Sequence, residues 1–118
     1  MSDLWLKTSR LVSEIERSIK DDLAHTVLHA HSITDIYVLA ALHKQDKQRP
    51  MDLASAINSP ATSFTPILDR LEATGLVTRT INKDDRRSIL VCLTDEGKKL
   101  RRAVENAIGN AEVRYGGG

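Results

Sequence analysis

Four short hydroxyl side chains, Ser59, Thr62, Ser63 and Thr65, gather where an apolar helical repeat begins, and a cationic cluster of Lys83, Arg86 and Arg87, with Asp85 inside it, follows further along the chain. Both groups suit contact with duplex DNA. The first turn of a helix offers unpaired N–H groups to phosphates, and small hydroxyls there reach base edges or thymine methyl groups. An arginine at an exposed hairpin tip is drawn by the negative potential of a minor groove, and Asp85, two residues before Arg87, is placed to orient its guanidinium. Arg70 adds a cation to the outer face of the same helix. The competing account of Asp85 and Arg87 is a hairpin ion pair worth ~0–1 kcal/mol, with no function.

Catalytic chemistry is poorly represented. Asp84 and Asp85 are adjacent on a turn beside arginines, unlike two carboxylates held in contrasting environments, and neither a glycine-rich phosphate loop nor a nucleophile elbow occurs. An enzyme is therefore not expected. One Trp, two Tyr and one Phe also argue against a single-strand binder built on stacked bases.

The hydroxyls and cations need elements to hold them. Leu53, Ala54 and Ile57 form an apolar face at helical spacing that stops at Asn58-Ser59-Pro60. Asn58 tolerates the left-handed conformation that closes a helix, Ser59 can cap the next one, and Pro60 fits its first position. The core face of that second helix is Phe64, Ile67, Leu68 and Leu71, and Gly75 ends it. Pro66 would crowd the Thr62 carbonyl at a cost of ~3 kcal/mol in a regular helix. Either the helix starts near Thr62 or Ser63, or its first turn is irregular. Residues 76–81 and 87–93 then read as hairpin arms about a turn at Asn82-Lys83-Asp84-Asp85. The whole is a helix-turn-helix followed by a wing.

The ordered set Leu53-Ala54, Leu71-Glu72, Gly75-Leu76-Val77, Arg79, Asp85-Arg86-Arg87, Val91, Leu93-Thr94 and Gly97 resembles, without a gap, the MarR family of winged-helix transcription regulators. The resemblance covers roughly residues 32–115. It implies a homodimer that reads a pseudo-palindromic duplex site, with the Asp85-x-Arg87 pair in the wing role. It also implies release or repositioning by a small anionic or apolar effector, lodged between the winged domain and the helical pair near His25 to His29.

On either side of the winged core, residues 32–94, the chain reads as helix. Leu4, Leu11, Val12, Ile15, Ile19, Leu23, Val27 and Leu28 make one long amphipathic helix over residues 3–31, with more apolar stripe than a small domain covers. Ser32 and Asp35 form a capping pattern for a helix to about His43 that buries Ile33, Ile36, Leu39, Ala40 and Leu42, and Pro50 opens the next. Thr94 caps a final helix over 95–115, with Asp95 and Glu96 at the positive end of its dipole. There Ala103, Ala107 and Ala111 recur beside Leu100, Val104 and Ile108, a stripe for close helix pairing. Leu11, Ile15, Ile19, Leu100, Val104, Ala107, Ile108 and Ala111 are the expected dimer contacts. The chain stops at Tyr115-Gly116-Gly117-Gly118, where the resembled proteins continue into a further helix, so a smaller dimer interface is expected.

The 118 residues, 41% hydrophobic and 28% charged, fit one domain of a mainly α (α+β) winged helix-turn-helix class with long N- and C-terminal dimerisation helices. A formal charge of +1 is uninformative by itself, but residues 79–102 hold eight Lys/Arg against four Asp/Glu, +4 there and −3 elsewhere. Positive charge thus concentrates on the wing side. A lone cysteine, Cys92, excludes an internal disulfide and reads as a half-packed strand residue, and no leader or apolar span marks export or a membrane. A cytoplasmic protein is expected, with no cofactor. Asp21, His25 and His29 would share a face of the long helix, yet lack a fourth ligand, so no metal site is expected, and His31 and His43 read as structural. Two functions follow: the double-stranded DNA regulator, and alternatively a winged-helix protein-interaction module that does not read DNA.

Overall fold

The computed structural model describes residues 3–58 and 64–116. The helices are α1 (Asp3–Asp22), α2 (Ile33–Lys44), α3 (Pro50–Ala56), α4 (Phe64–Ala73), α5 (Asp95–Lys99) and α6 (Arg101–Tyr115), and the strands are β1 (Val77–Ile81) and β2 (Ile89–Leu93). The strands pair antiparallel from Val77↔Leu93 to Ile81↔Ile89, a residue or two inside the expected arms. Backbone bonds in both directions between Gln48 and Val91 add a third, one-residue edge to the wing. Nothing in the hydropathy pattern marks that edge.

α2 is the centre of the molecule. Ser32 caps it by accepting from the Asp35 N–H at 3.2 Å, and Ile36, Val38, Leu39 and Leu42 are fully buried around it. Burial on several sides is what a helix acquires when α1, α3, α4, α6 and β2 all pack on it. The local signals elsewhere behave as expected. Pro50 opens α3, Asn58 takes φ 55°, and Gly75 takes φ 77° where α4 ends. Leu76 N–H returns to the Leu71 carbonyl at 3.0 Å, so the chain leaves α4 in a fixed direction and enters β1.

Two helices differ from expectation. The helix expected over residues 3–31 ends at Asp22, and residues 27–30 form a single 3₁₀ turn. Thr26 causes the break: its hydroxyl donates to the Leu23 carbonyl at 2.7 Å and accepts from the Leu28 N–H at 3.1 Å, offering the backbone an alternative to the helical ladder. The bend turns both Leu23 and Leu28 into the core, and the Lys20 ammonium donates to the His31 carbonyl across it. The final helix is likewise divided at Leu100, whose N–H bonds back three residues to the Gly97 carbonyl at 3.3 Å. That carbonyl also accepts from His43 Nε2 at 2.8 Å, and a side chain inserted into a helical ladder is a recognised cause of a kink.

α1 and α6 pack along each other within the chain. Ile19 of α1 and Ala107 and Ala111 of α6 are buried in the shared core, while Arg114 donates to the Ser18 hydroxyl at 2.9 Å and Asn110 to Asp22 at 3.1 Å. The first turns of α1 lie beyond this packing, leaving Leu4, Leu6 and Trp5, the last 60% exposed, on an uncovered arm.

Candidate nucleic-acid interface

α4 presents Thr65 and Asp69 outward while Phe64, Ile67, Leu68 and Leu71 are buried beneath it. Ser59, Thr62 and Ser63 lie outside the described residues, as does the expected helix start among them. Pro66 falls in the first turn of α4 as described from Phe64, where a missing N–H costs little.

The wing tip is an internally bonded turn. Asn82 Oδ1 accepts from the Asp84 N–H at 3.0 Å, Asp85 Oδ1 accepts from the Arg87 N–H at 3.1 Å, and the Asp85 carbonyl accepts from the Ser88 N–H at 3.0 Å. Asp85 thus shapes the backbone that carries Arg87. It barely restrains the guanidinium, which sits 3.5 Å away and is 95% exposed. Lys83 and Arg86 are exposed beside it.

Arg79 joins the wing to α4. Its Nη2 reaches Asp69 at 2.9 Å and Glu72 at 2.8 Å, and the hydrogen bond from Arg79 holds the Glu72 carboxyl below its ordinary pKa. Two acids one helical turn apart with a single arginine between them fix the angle between strand and helix. Residue spacing within each element gave no sign of this contact.

Arg70 does something other than line an outer face. Its Nε and Nη2 fork onto Asp35 at 3.0 and 2.7 Å, and Asp35 is fully buried. His31 Nδ1 lies 2.8 Å from the same carboxylate, and His31 Nε2 lies 2.8 Å from the Thr74 hydroxyl at the end of α4. Burial would raise the Asp35 pKa, but the hydrogen bonds from Arg70, His31 and Ser32 outweigh it and hold the carboxyl below 3.8. An ionised acceptor requires His31 to carry its proton on Nδ1.

His43 is structural in the same sense, yet incompletely satisfied. With Nε2 on the Gly97 carbonyl, burial lowers its pKa from 6.5, so the ring is neutral near pH 7 and Nδ1 keeps a buried lone pair without a partner. His43 lines a cavity of about 660 Å³ between α2, the end of α3 and α6, where Tyr37, Ala40, Ile57, Ile108 and Glu112 contribute to the wall.

The expected dimer contacts divide. Ile19, Val104, Ala107 and Ala111 belong to the chain's own core, Ile15, Leu100 and Ile108 pack partly against it, and Leu11 is exposed. His25 and His29 are exposed on either side of the bend at Thr26, so with Asp21 they do not share a helix face. Among the described residues no three His, Cys, Asp or Glu side chains are placed to hold a metal, and no helix is long and apolar enough to cross a membrane.

A helix-turn-helix joined to a two-stranded wing, with cations at the wing tip, defines a winged-helix protein. Residues 32–89 match the sequence pattern of the MarR family. The chain is 31% identical over 97 residues to the HTH-type transcriptional repressor MdtR of Bacillus subtilis, covering 82% of this chain and 61% of MdtR. Its fold superposes on CouR of Rhodococcus jostii RHA1 bound to p-coumaroyl-CoA with a TM-score of 0.80 and 25% identity, over 97% of this chain and 78% of CouR. It superposes on Streptococcus pneumoniae FabT in complex with DNA with a TM-score of 0.77 and 18% identity, over 94% of this chain and 77% of FabT, a likeness of fold alone. This chain belongs to the MarR family. It spans about half the length of the curated relatives it matches.

Proposed function

We propose that the chain is a cytoplasmic, ligand-responsive transcriptional repressor that binds a pseudo-palindromic duplex site as a homodimer and catalyses no reaction. The observation that carries this reading is the join between α4 and the wing: Arg79 locks the two together while Lys83, Arg86 and Arg87 stay exposed at the tip. That is how a protein presents one element to a major groove and another to the adjacent minor groove. Residues 32–94 form the DNA-binding core of one domain. Within it, Ser59, Thr62, Ser63 and Thr65 address the bases, and Lys83, Arg86 and Arg87, shaped by Asp85, address the backbone and minor groove. Arg70, engaged by Asp35, supports the interface from behind.

The uncovered start of α1, with Leu4, Trp5, Leu6 and Leu11, is the proposed dimer arm, together with the outer face of α6 at Val113. A two-fold pair would set two α4 helices about one DNA turn, ~34–36 Å, apart. Effectors enter the cavity beside His43, on the opposite side of α6 from His25. Tyr37, Ala40, Ile57 and Ile108 make much of that wall apolar, so the effector presents an apolar body there. Of the anionic or apolar effector implied by the resemblance, this wall favours the apolar one, since Glu105 and Glu112 outnumber Lys44 on it.

Fluorescence anisotropy with duplex fragments tests the reading. One site should exceed random DNA by roughly 10³-fold at fixed salt, with two chains per site by light scattering and an affinity that an apolar small-molecule ligand shifts. Equal affinity for every fragment would leave the protein-interaction module in its place. Within a specific complex, Arg87→Ala should raise Kd by roughly 10-fold or more while the melting temperature stays unchanged, since the side chain touches no core. An unchanged Kd at matched salt would reduce Arg87 to a surface ion pair.

A further inference from the structure

We infer that Asp35 is a positioning residue for DNA recognition, acting through Arg70 and His31 to set the roll and height of α4 on α2; the inference rests on the DNA-binding reading above. The apolar contacts under α4, from Phe64 to Leu71, are non-directional and leave a helix free to slide or roll by small amounts. A recognition element tolerates little of that, on the order of 0.5 Å and 10–20°.

The polar network removes the freedom. The Asp35 carboxylate, immobile in the first turn of α2, receives Arg70 through both donors of a planar fork, His31 Nδ1 on Oδ2 at 2.8 Å, and the Ser32 hydroxyl on Oδ1 at 2.9 Å. His31 continues to Thr74, so α4 is tied at its last turn and again one residue beyond its end, both ties converging on one buried acid. Replacing such a network by apolar side chains often costs no stability, and fixing a unique arrangement is among its better-attested uses. Arg70 itself is half-exposed, with a side-chain accessibility of 48%, so solvent could satisfy it without Asp35. A guanidinium that could be solvated and is instead forked onto a buried acid is being used for its geometry.

The experiment uses Arg70→Lys, which keeps the charge and loses the fork, and Arg70→Gln, which loses both, with Asp35→Asn and the double variant of Arg70→Lys and Asp35→Asn, each titrated against the specific site and random duplex over a salt series. The expected result is an affinity for the specific site about 10-fold weaker in Arg70→Lys, with random-DNA affinity and salt slope unchanged and little further loss in the double variant. Partial unfolding would lower both affinities together, so the ratio isolates positioning, and Arg70→Lys carries the test even if Asp35→Asn fails to fold. Wild-type discrimination with an Arg70→Lys variant that matches it would overturn the inference alone. A uniform loss on all sequences in Arg70→Gln, with the slope reduced by about 1, would make Arg70 a phosphate contact and also overturn it. A wild-type chain that fails to discriminate would overturn both readings.

Discussion

Gly97→Ala should lower stability by about 3 kcal/mol, a fall of ~10 °C in melting temperature for a chain of this size. A Cβ at Gly97 would stand well inside van der Waals contact of the Leu76 carbonyl oxygen and 3.2 Å from Leu93 Cδ2. The Leu76 carbonyl cannot retreat. It accepts from the Thr94 N–H at 3.1 Å, and the Thr94 hydroxyl caps α5 through the Gly97 N–H at 3.0 Å, so the strand start, the cap and the glycine form one closed unit. His43 on the Gly97 carbonyl would be displaced as well. Gly75→Ala provides the contrast. Its φ of 77° is strained for alanine, but an added Cβ meets nothing within 4 Å, so the cost is the backbone's alone, roughly 1–2 kcal/mol. Denaturant midpoints for the two variants decide the matter, and equal losses would mean that the approach of α5 to Leu76 is loose.

Asp35→Ala is expected to cost about 3 kcal/mol at pH 7, because it leaves the buried His31 Nδ1 without its acceptor and Arg70 without a buried one. The half-exposed Arg70 can return to solvent, which keeps the loss at the lower end of what breaking a buried ion pair produces. The pH dependence carries a definite sign. Burial opposes the charge on Asp35, but Arg70, His31 and Ser32 overcompensate and depress the folded pKa below 3.8. The unfolded chain then takes up a proton more readily than the folded one, so the contribution of Asp35 is fully present above about pH 4 and is lost as pH falls through the folded value. Urea midpoints between pH 7 and pH 2 should therefore converge for wild type and Asp35→Ala. Parallel curves across that range would show that Asp35 is not held ionised by its partners.

Much of the path from residues to fold is local in this chain, and the sequence by itself determined that part. Ser32, Pro50, Asn58, Gly75 and Thr94 each impose a backbone state within three or four residues of themselves, so the starts of α2, α3 and α5 and the ends of α3 and α4 could be read directly. Alternation and β-branching placed the wing arms, and the ordered motif through Asp85-Arg86-Arg87 and Gly97 identified the family before any fold was known. Thr26 carried a legible signal that the periodicity of residues 3–31 concealed, since apolar spacing continued through a bend whose buried leucines sit on both sides of it.

Only the tertiary structure decided the rest. Arg70 looked like a DNA contact because helical periodicity reports which face a residue occupies and says nothing of the element behind it, and its acid lies 35 positions away. The same holds for Arg79 on Asp69 and Glu72, for Gln48 on Val91, and for His43 on Gly97, 54 positions apart. The alanine stripe of α6 was read as a surface for a second chain, and Ala107 and Ala111 instead receive α1 of the same one. A small-residue stripe encodes close approach but not the identity of what approaches. Partner choice is settled by the summed packing of the whole chain, which turns at Thr26 and brings α1 back along α6.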